Sequence, residues 1–120
     1  MNVTQYTTRD LHAMVLKIMD DYRRATIQMR SPQRKTLNEI MKYSLRFMNK
    51  TLDDLTPMQF ILTVDAIIES MSDNVRDVFI AMFVTREYQT NPLWYINYNL
   101  SRSTYYRYRR KALEEFMGYF

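Results

Sequence analysis

The sequence contains no cysteine, a single histidine, a single glycine and three prolines. The absence of cysteine excludes disulfides and thiolate metal sites, and it is typical of proteins from a reducing compartment. The histidine, His12, lies in a helical pattern of mixed polarity, where we expect a surface residue. A transition-metal site would then depend on carboxylates alone. We therefore predict no metal and no cofactor.

Catalytic patterns are also missing. The sequence has neither a glycine-rich phosphate loop nor a nucleophile elbow. Its paired carboxylates are adjacent in sequence, so on a helix they point about 100° apart and do not converge on one reacting atom. We predict that the protein is not an enzyme and has no catalytic residues. The carboxylate pairs are Asp20-Asp21, Asp53-Asp54 and Glu114-Glu115.

Long apolar runs are absent, because charged residues interrupt every stretch before the roughly eighteen apolar residues that a membrane span requires. The first ten residues also lack the basic region and apolar stretch of a secretory signal peptide. We expect no membrane partner and a cytoplasmic protein. Hydrophobic residues still make up 47% of the chain, which is enough for a modest core and argues against disorder.

The spacing of the apolar residues is helical, and glycine and proline are too scarce for the turns of an all-β fold. Each proline follows a residue that can cap a helix, as in Ser31-Pro32, Thr56-Pro57 and Asn91-Pro92. The cap side chain accepts a free N–H, and proline supplies a fixed φ without wasting a donor. The sequence therefore predicts an all-α fold of about six helices, in one domain over residues 1–120.

The predicted helices divide into two groups. The N-terminal part, residues 1–70, contains a first helix over 8–29 and a second that starts near Ser31 or at Thr36. It is a candidate for oligomerisation. The second part, residues 72–117, ends in a helix-turn-helix. The apolar stripe of the first helix consists of Leu11, Val15, Ile18 and Tyr22.

Charge is unevenly distributed, although the net charge is only +4. Residues 51–90 carry seven Asp or Glu and two Lys or Arg, whereas residues 91–120 carry five Lys or Arg, all between Arg102 and Lys111. A basic patch of this kind is expected in a protein that binds a polyanion. The acidic part contains a strip with helical spacing, which suits a solvated face or contact with RNA polymerase. Its members are Asp65, Glu69, Asp73 and Asp77.

Residues 91–117 have the layout of a helix-turn-helix. A short helix from Leu93 to about Tyr98 is followed by a tight connection and by a longer helix that Ser101 caps. We expect Asn99 to take the left-handed conformation in the turn. One side of the longer helix is predicted to face the core, at Tyr105, Tyr108, Ala112 and Phe116.

The opposite side and the flanks of this helix carry the candidate DNA-binding residues. Arg102 and Arg107 suit bidentate contacts to guanine. The hydroxyl side chains suit contacts to bases or to sugar-phosphate, and the cations nearer the C-terminal end suit phosphate contacts. The full set is Arg102, Ser103, Thr104, Tyr106, Arg107, Arg109, Arg110 and Lys111.

The stretch from Val75 to Phe116 resembles sigma-factor region-4-like domains, and most of all the ArpU/RinA-type regulators of bacteriophages and integrated elements of Gram-positive bacteria. The resemblance rests on the predicted helix over 75–84, on Leu93-x-x-Ile96 and on the segment LSRSTYYRYRRKALEEF at 100–116. In that family the last segment is the recognition helix, and members are regarded as regulators of late phage transcription. The resemblance implies a sequence-specific regulator that binds double-stranded DNA in a bacterial host cell.

The pattern departs from that family at Trp94 and Tyr95, where small or polar residues are commoner. Small bacterial helix-turn-helix proteins commonly dimerise to read two half-sites, so we expect a homodimer. The ten methionines suit core positions, with an adaptable interface as the alternative. Two other functions stay open: a small terminase-like DNA-packaging subunit, and a protein-interaction module that inhibits a host nucleic-acid enzyme.

Overall fold

A computed structural model describes residues 2–30 and 56–120 of the chain. These residues form helices joined by short turns, with no strand among them, and this confirms the all-α prediction. The predicted second helix and its caps at Ser31 and Thr36 lie outside the described residues. Four α-helices are present in the described part: α1 (Thr8–Arg30), α2 (Pro57–Ser70), α3 (Asp73–Phe79) and α4 (Arg102–Met117).

Helix α1 begins and ends close to the predicted positions. Its N-terminus is capped by Thr7, whose Oγ1 accepts a hydrogen bond from the N–H of Asp10 at 3.1 Å. The predicted apolar stripe is confirmed, since Leu11, Val15 and Ile18 are fully buried. A helix with this one-sided pattern is stabilised mainly by packing that stripe against its neighbours, because propensity alone contributes little.

Tyr22 joins α1 to α2 at the end of this stripe. Its hydroxyl donates a hydrogen bond of 2.6 Å to Oδ1 of Asp65. Burial, followed by this hydrogen bond and the carboxylate charge, raises the pKa of Tyr22 to about 12. The hydroxyl therefore remains a donor at all ordinary pH values, and Asp65 is tied to α1.

Helix α2 starts at the predicted Thr56-Pro57 cap. Oγ1 of Thr56 accepts from the N–H of Gln59 at 3.1 Å, and Oε1 of Gln59 accepts from the N–H of Thr56 at 2.9 Å. This is a reciprocal capping box with glutamine in the third helical position. The helix buries Phe60 and Val64 completely.

Helices α2 and α3 are separated by an extended residue, Met71, whose ψ is 152°. The acidic residues from Asp65 to Asp77 therefore lie on two helices and not along the single continuous side that a shared axis would give. Ser72 occupies the predicted cap position of α3, although its side chain makes no capping hydrogen bond. The predicted core residues are confirmed: Val75, Val78, Phe79, Met82 and Phe83 are buried.

The chain from residue 80 to residue 101 reverses direction in short steps. Helix α3 continues as a π-helical turn, Ile80–Val84, and ends before Arg86, whose φ is 52°. The predicted short α-helix from Leu93 to Tyr98 is wrong in type, because the structure has a 3-10 helix over Trp94–Tyr98. Asn99 stops it in the predicted left-handed conformation, with φ of 59° and ψ of 31°. Five residues before such a stop leave too little length for two α-helical turns.

The described helices share one hydrophobic core. At its centre the ring of Phe79 stacks on that of Phe116 at 4.8 Å, which joins α3 to α4. Phe83 lies 5.0 Å from the ring of His12. His12, which we expected at the surface, is therefore half-buried against α3. The division at residues 70 to 72 stays a prediction.

Candidate nucleic-acid interface

Helix α4 is fixed at its N-terminus by Ser101. Oγ of Ser101 accepts from the N–H of Thr104 at 3.2 Å and lies 2.9 Å from the Thr104 hydroxyl. This confirms the predicted cap. It also assigns Thr104, one of the candidate DNA-binding residues, to the cap itself, where its side chain is half-buried.

The side of α4 that was predicted to face the core does so. Ala112 and Phe116 are fully buried, and Tyr105 and Tyr108 are half-buried against the core. The tyrosine rings thus fasten the first half of the helix, and the smaller and apolar residues fasten the second. Because this packing fixes the rotation of the helix, it also fixes which side chains reach solvent.

The exposed side of α4 contains five of the eight candidate residues. Three of the five cations in this helix are exposed, and no acidic residue lies in its first turn. The free N–H groups at a helix start favour negative charge, so this end of α4 is electropositive through both its side chains and its backbone. The exposed candidates are Arg102, Ser103, Tyr106, Arg107 and Lys111.

Arg110 is turned away from this exposed side, contrary to the prediction. Its Nη1 donates to the carbonyl oxygen of Tyr6 at 2.9 Å and to Oγ1 of Thr8 at 3.2 Å. Its Nη2 donates to the carbonyl oxygen of Val3 at 3.3 Å, and its Nε donates to Oε1 of Glu114 at 2.6 Å. A guanidinium can donate five hydrogen bonds, and here it uses them to hold the N-terminal segment against α4.

Arg109 also faces the protein. Its Nη2 lies 3.2 Å from Nδ1 of His12, while its Nε is buried and makes no hydrogen bond. Burial, and then the charge of Arg109, lowers the pKa of His12. A neutral His12 can accept from Arg109 through Nδ1, so this pair ties α4 to α1. The two adjacent arginines therefore stabilise the fold, and neither is on the exposed side.

The exposed arginines each lie beside a tyrosine. The guanidinium carbon of Arg102 is 5.7 Å from the ring centre of Tyr106, and that of Arg107 is 5.7 Å from the ring centre of Tyr108. A hydrogen bond with Tyr106 is the main reason that the pKa of Arg102 is raised. These are cation–π geometries, which limit the orientations of long side chains that would otherwise be mobile.

Trp94 connects the preceding 3-10 helix to α4. It is 2% exposed, and its ring meets Tyr98 at 5.6 Å and Tyr105 at 5.3 Å, both edge-on. Tyr95 stacks on Tyr105 at 4.5 Å and 6°. Trp94 and Tyr95, the two departures from the family pattern, are thus the residues that hold α4 to its preceding turn. Their density in the sequence was the available signal for this cluster.

Two apolar residues on which the resemblance depends lie at the surface. Leu93 is 54% exposed and Ile96 is 55% exposed, in the turn that precedes α4. Tyr98, in the same turn, donates a 2.6 Å hydrogen bond to Oε2 of Glu87. This hydrogen bond is the first cause of the raised pKa of Tyr98. Glu87 thereby holds the end of the turn.

Comparisons of the chain with protein-family models, with curated proteins and with solved structures found no match. In the described part of the chain, no helix combines the length and the apolar character needed to cross a membrane. Within residues 2–30 and 56–120, no three His, Asp or Glu side chains are grouped so that they could share a metal ion. The surface of α4 is therefore the feature from which a function can be argued.

Proposed function

We propose that the protein is a sequence-specific regulator that binds double-stranded DNA, and that the first half of α4 lies in the major groove. One observation carries the proposal. Arg102, Ser103, Tyr106 and Arg107 share the exposed side of a helix whose other side is fixed in the core. The N-terminal residues of a recognition helix are those that reach base edges.

The chemistry of this surface suits DNA. Two arginines, a serine and a tyrosine supply donors for base edges, and the arginine fork matches the O6 and N7 acceptors of guanine. Lys111 lies beyond them on the exposed part of the helix, at a position that suits a phosphate contact. The confinement of charge also supports the proposal, because Arg109 and Arg110 are turned inward.

The resemblance to ArpU/RinA-type regulators extends the proposal to a phage or mobile element, to a homodimer and to RNA polymerase as a second partner. A 3-10 helix and the left-handed Asn99 precede α4, where such domains have a short α-helix. We infer that this shorter turn serves the same purpose, since Trp94 and Tyr95 bind it tightly to α4.

The test is selection of binding sequences from a random duplex library, followed by anisotropy titrations of the selected and the random DNA. We expect Arg107→Ala to abolish the preference while binding to random DNA is retained. A bidentate arginine–guanine contact discriminates by about 1–3 kcal/mol, which is about 5- to 150-fold in affinity. Arg23→Ala, which removes an exposed cation from α1, is the matched control and should retain the preference.

Three outcomes would contradict the proposal. Failure of the intact protein to bind any duplex at low salt would exclude the regulator. Equal loss on selected and random DNA for Arg107→Ala would reject the role of this residue. A measured mass many times that of the 14.7 kDa chain, indicating a ring, would favour the DNA-packaging alternative over a dimeric regulator.

A further inference from the structure

Arg102 occupies the first position of α4 and is exposed. A free arginine side chain at such a position samples many rotamers, and fixing it on binding costs about 0.5–1.5 kcal/mol. The structure limits this freedom, because the guanidinium lies over the ring of Tyr106 one helical turn later. A planar guanidinium that stacks on an aromatic face keeps its edge donors available.

Tyr106 is itself held in place, although its side chain is 47% exposed. Its ring packs 5.3 Å from that of Tyr105, which stacks in turn on Tyr95. Trp94 fixes the buried end of this row at 5.3 Å from Tyr105. A continuous row of rings therefore leads from a buried tryptophan to an exposed guanidinium. The orientation of Arg102 is thus coupled to the most rigid part of the turn.

We propose that Tyr106 is a positioning residue that presents Arg102 for bidentate donation to O6 and N7 of one guanine in the major groove. This inference rests on the proposed function and adds to it the base that is read and the residue that prepares the contact. Guanine is the base in question because its two neighbouring acceptors match the two parallel N–H donors of arginine. Lysine at position 102 could not reproduce this contact.

The experiment uses the intact protein and the selected duplex, in which each guanine is replaced in turn by 7-deazaguanine, which lacks the N7 acceptor. For the wild type we expect about a tenfold loss of affinity at one guanine, as for a lost bidentate contact. Arg102→Ala and Arg102→Lys should show no further loss at that guanine. Tyr106→Ala should reduce the discrimination there about threefold or more, and its salt dependence should not change.

Tyr106→Phe is the conservative control, because it keeps the ring and loses only the hydroxyl. We expect it to retain the discrimination within about twofold. If it lost as much as Tyr106→Ala, the hydroxyl would be contacting DNA directly and the positioning role would be wrong. A second check is Tyr106→Ala in the Arg102→Ala background, where positioning predicts no additional loss at that guanine, since the residue that it positions is gone.

The failure of this inference differs from the failure of the proposed function. Specific binding without a guanine that depends on Arg102 would overturn the inference and leave the regulator standing. Absence of duplex binding would overturn both. Because Tyr106 lies at the surface, we expect both of its variants to retain the thermal unfolding midpoint of the wild type. A large fall in that midpoint would instead assign Tyr106 a role in the fold.

Discussion

The adjacent cations Arg110 and Lys111 provide a matched test of how α4 is used. They have the same charge and neighbouring positions, but Lys111 is exposed and Arg110 holds the N-terminal segment. On duplex DNA, the logarithm of the binding constant falls with the logarithm of salt by about 0.9 for each phosphate that is neutralised. We expect Lys111→Ala to lower this slope by about 0.9, and Arg110→Ala to leave it unchanged.

Arg110→Ala should change stability instead. Three hydrogen bonds from the guanidinium to Val3, Tyr6 and Thr8 would be lost, together with the ion pair to Glu114. The Arg110 and Glu114 side chains are 28% and 36% exposed, so solvent weakens their ion pair. We estimate a loss of about 1–3 kcal/mol. For a chain of this length, this corresponds to a fall in Tm of about 4–15 °C.

The assay is fluorescence anisotropy with a random-sequence duplex over a series of NaCl concentrations, combined with thermal unfolding followed by circular dichroism. Differences in slope between variants are compared, because cations elsewhere in the chain add equally to each slope. The reasoning is refuted if Arg110→Ala lowers the slope as much as Lys111→Ala does while its Tm remains that of the wild type. It is equally refuted if Lys111→Ala does not alter the slope.

Three further predictions concern stability. Asn99→Ala should lose about 1 kcal/mol, since its φ of 59° disfavours a β-carbon, whereas Asn99→Gly should be close to neutral in urea unfolding. Trp94→Ala should lose about 3–5 kcal/mol by the same measurement, as expected for a buried aromatic residue. The pKa of His12 is lowered by burial and by Arg109, so the unfolded chain binds its proton more readily; stability should therefore fall as pH drops below the ordinary value of 6.5, and His12→Gln should remove this dependence.

The helices could be predicted from the sequence because their signals are local. Capping residues, prolines and apolar spacing lie within a few positions of each other, and they indicated the starts of α2 and α4 and the left-handed Asn99. The 3-10 form of Trp94–Tyr98 could not be predicted in this way. It depends on packing with Tyr105 and on the stop at Asn99, which together outweigh the helical spacing of Leu93 and Ile96.

The exposed side of α4 could be predicted only in part, and the reason is distance along the chain. Helical spacing relates Arg110 to Glu114, four residues away, and that contact is present. The contacts of Arg110 with Tyr6 and Val3 join residues more than a hundred positions apart, so no local pattern indicates them. Arg109 is drawn to His12 for the same reason. A sequence that is read by spacing alone therefore overestimates how many cations a basic helix presents.

This difference changes what the basic run indicates. Five neighbouring cations suggest nonspecific attraction to phosphate, but the structure leaves Arg102, Arg107 and Lys111 on the surface. Two of these three lie beside tyrosine rings, which restrict their orientation. Restricted arginines favour recognition of a particular base, whereas mobile ones favour general attraction. If α4 binds DNA as proposed, its selectivity should therefore be high in proportion to its charge, and the ratio of selected to random affinity should depend more on Tyr106 than on Lys111.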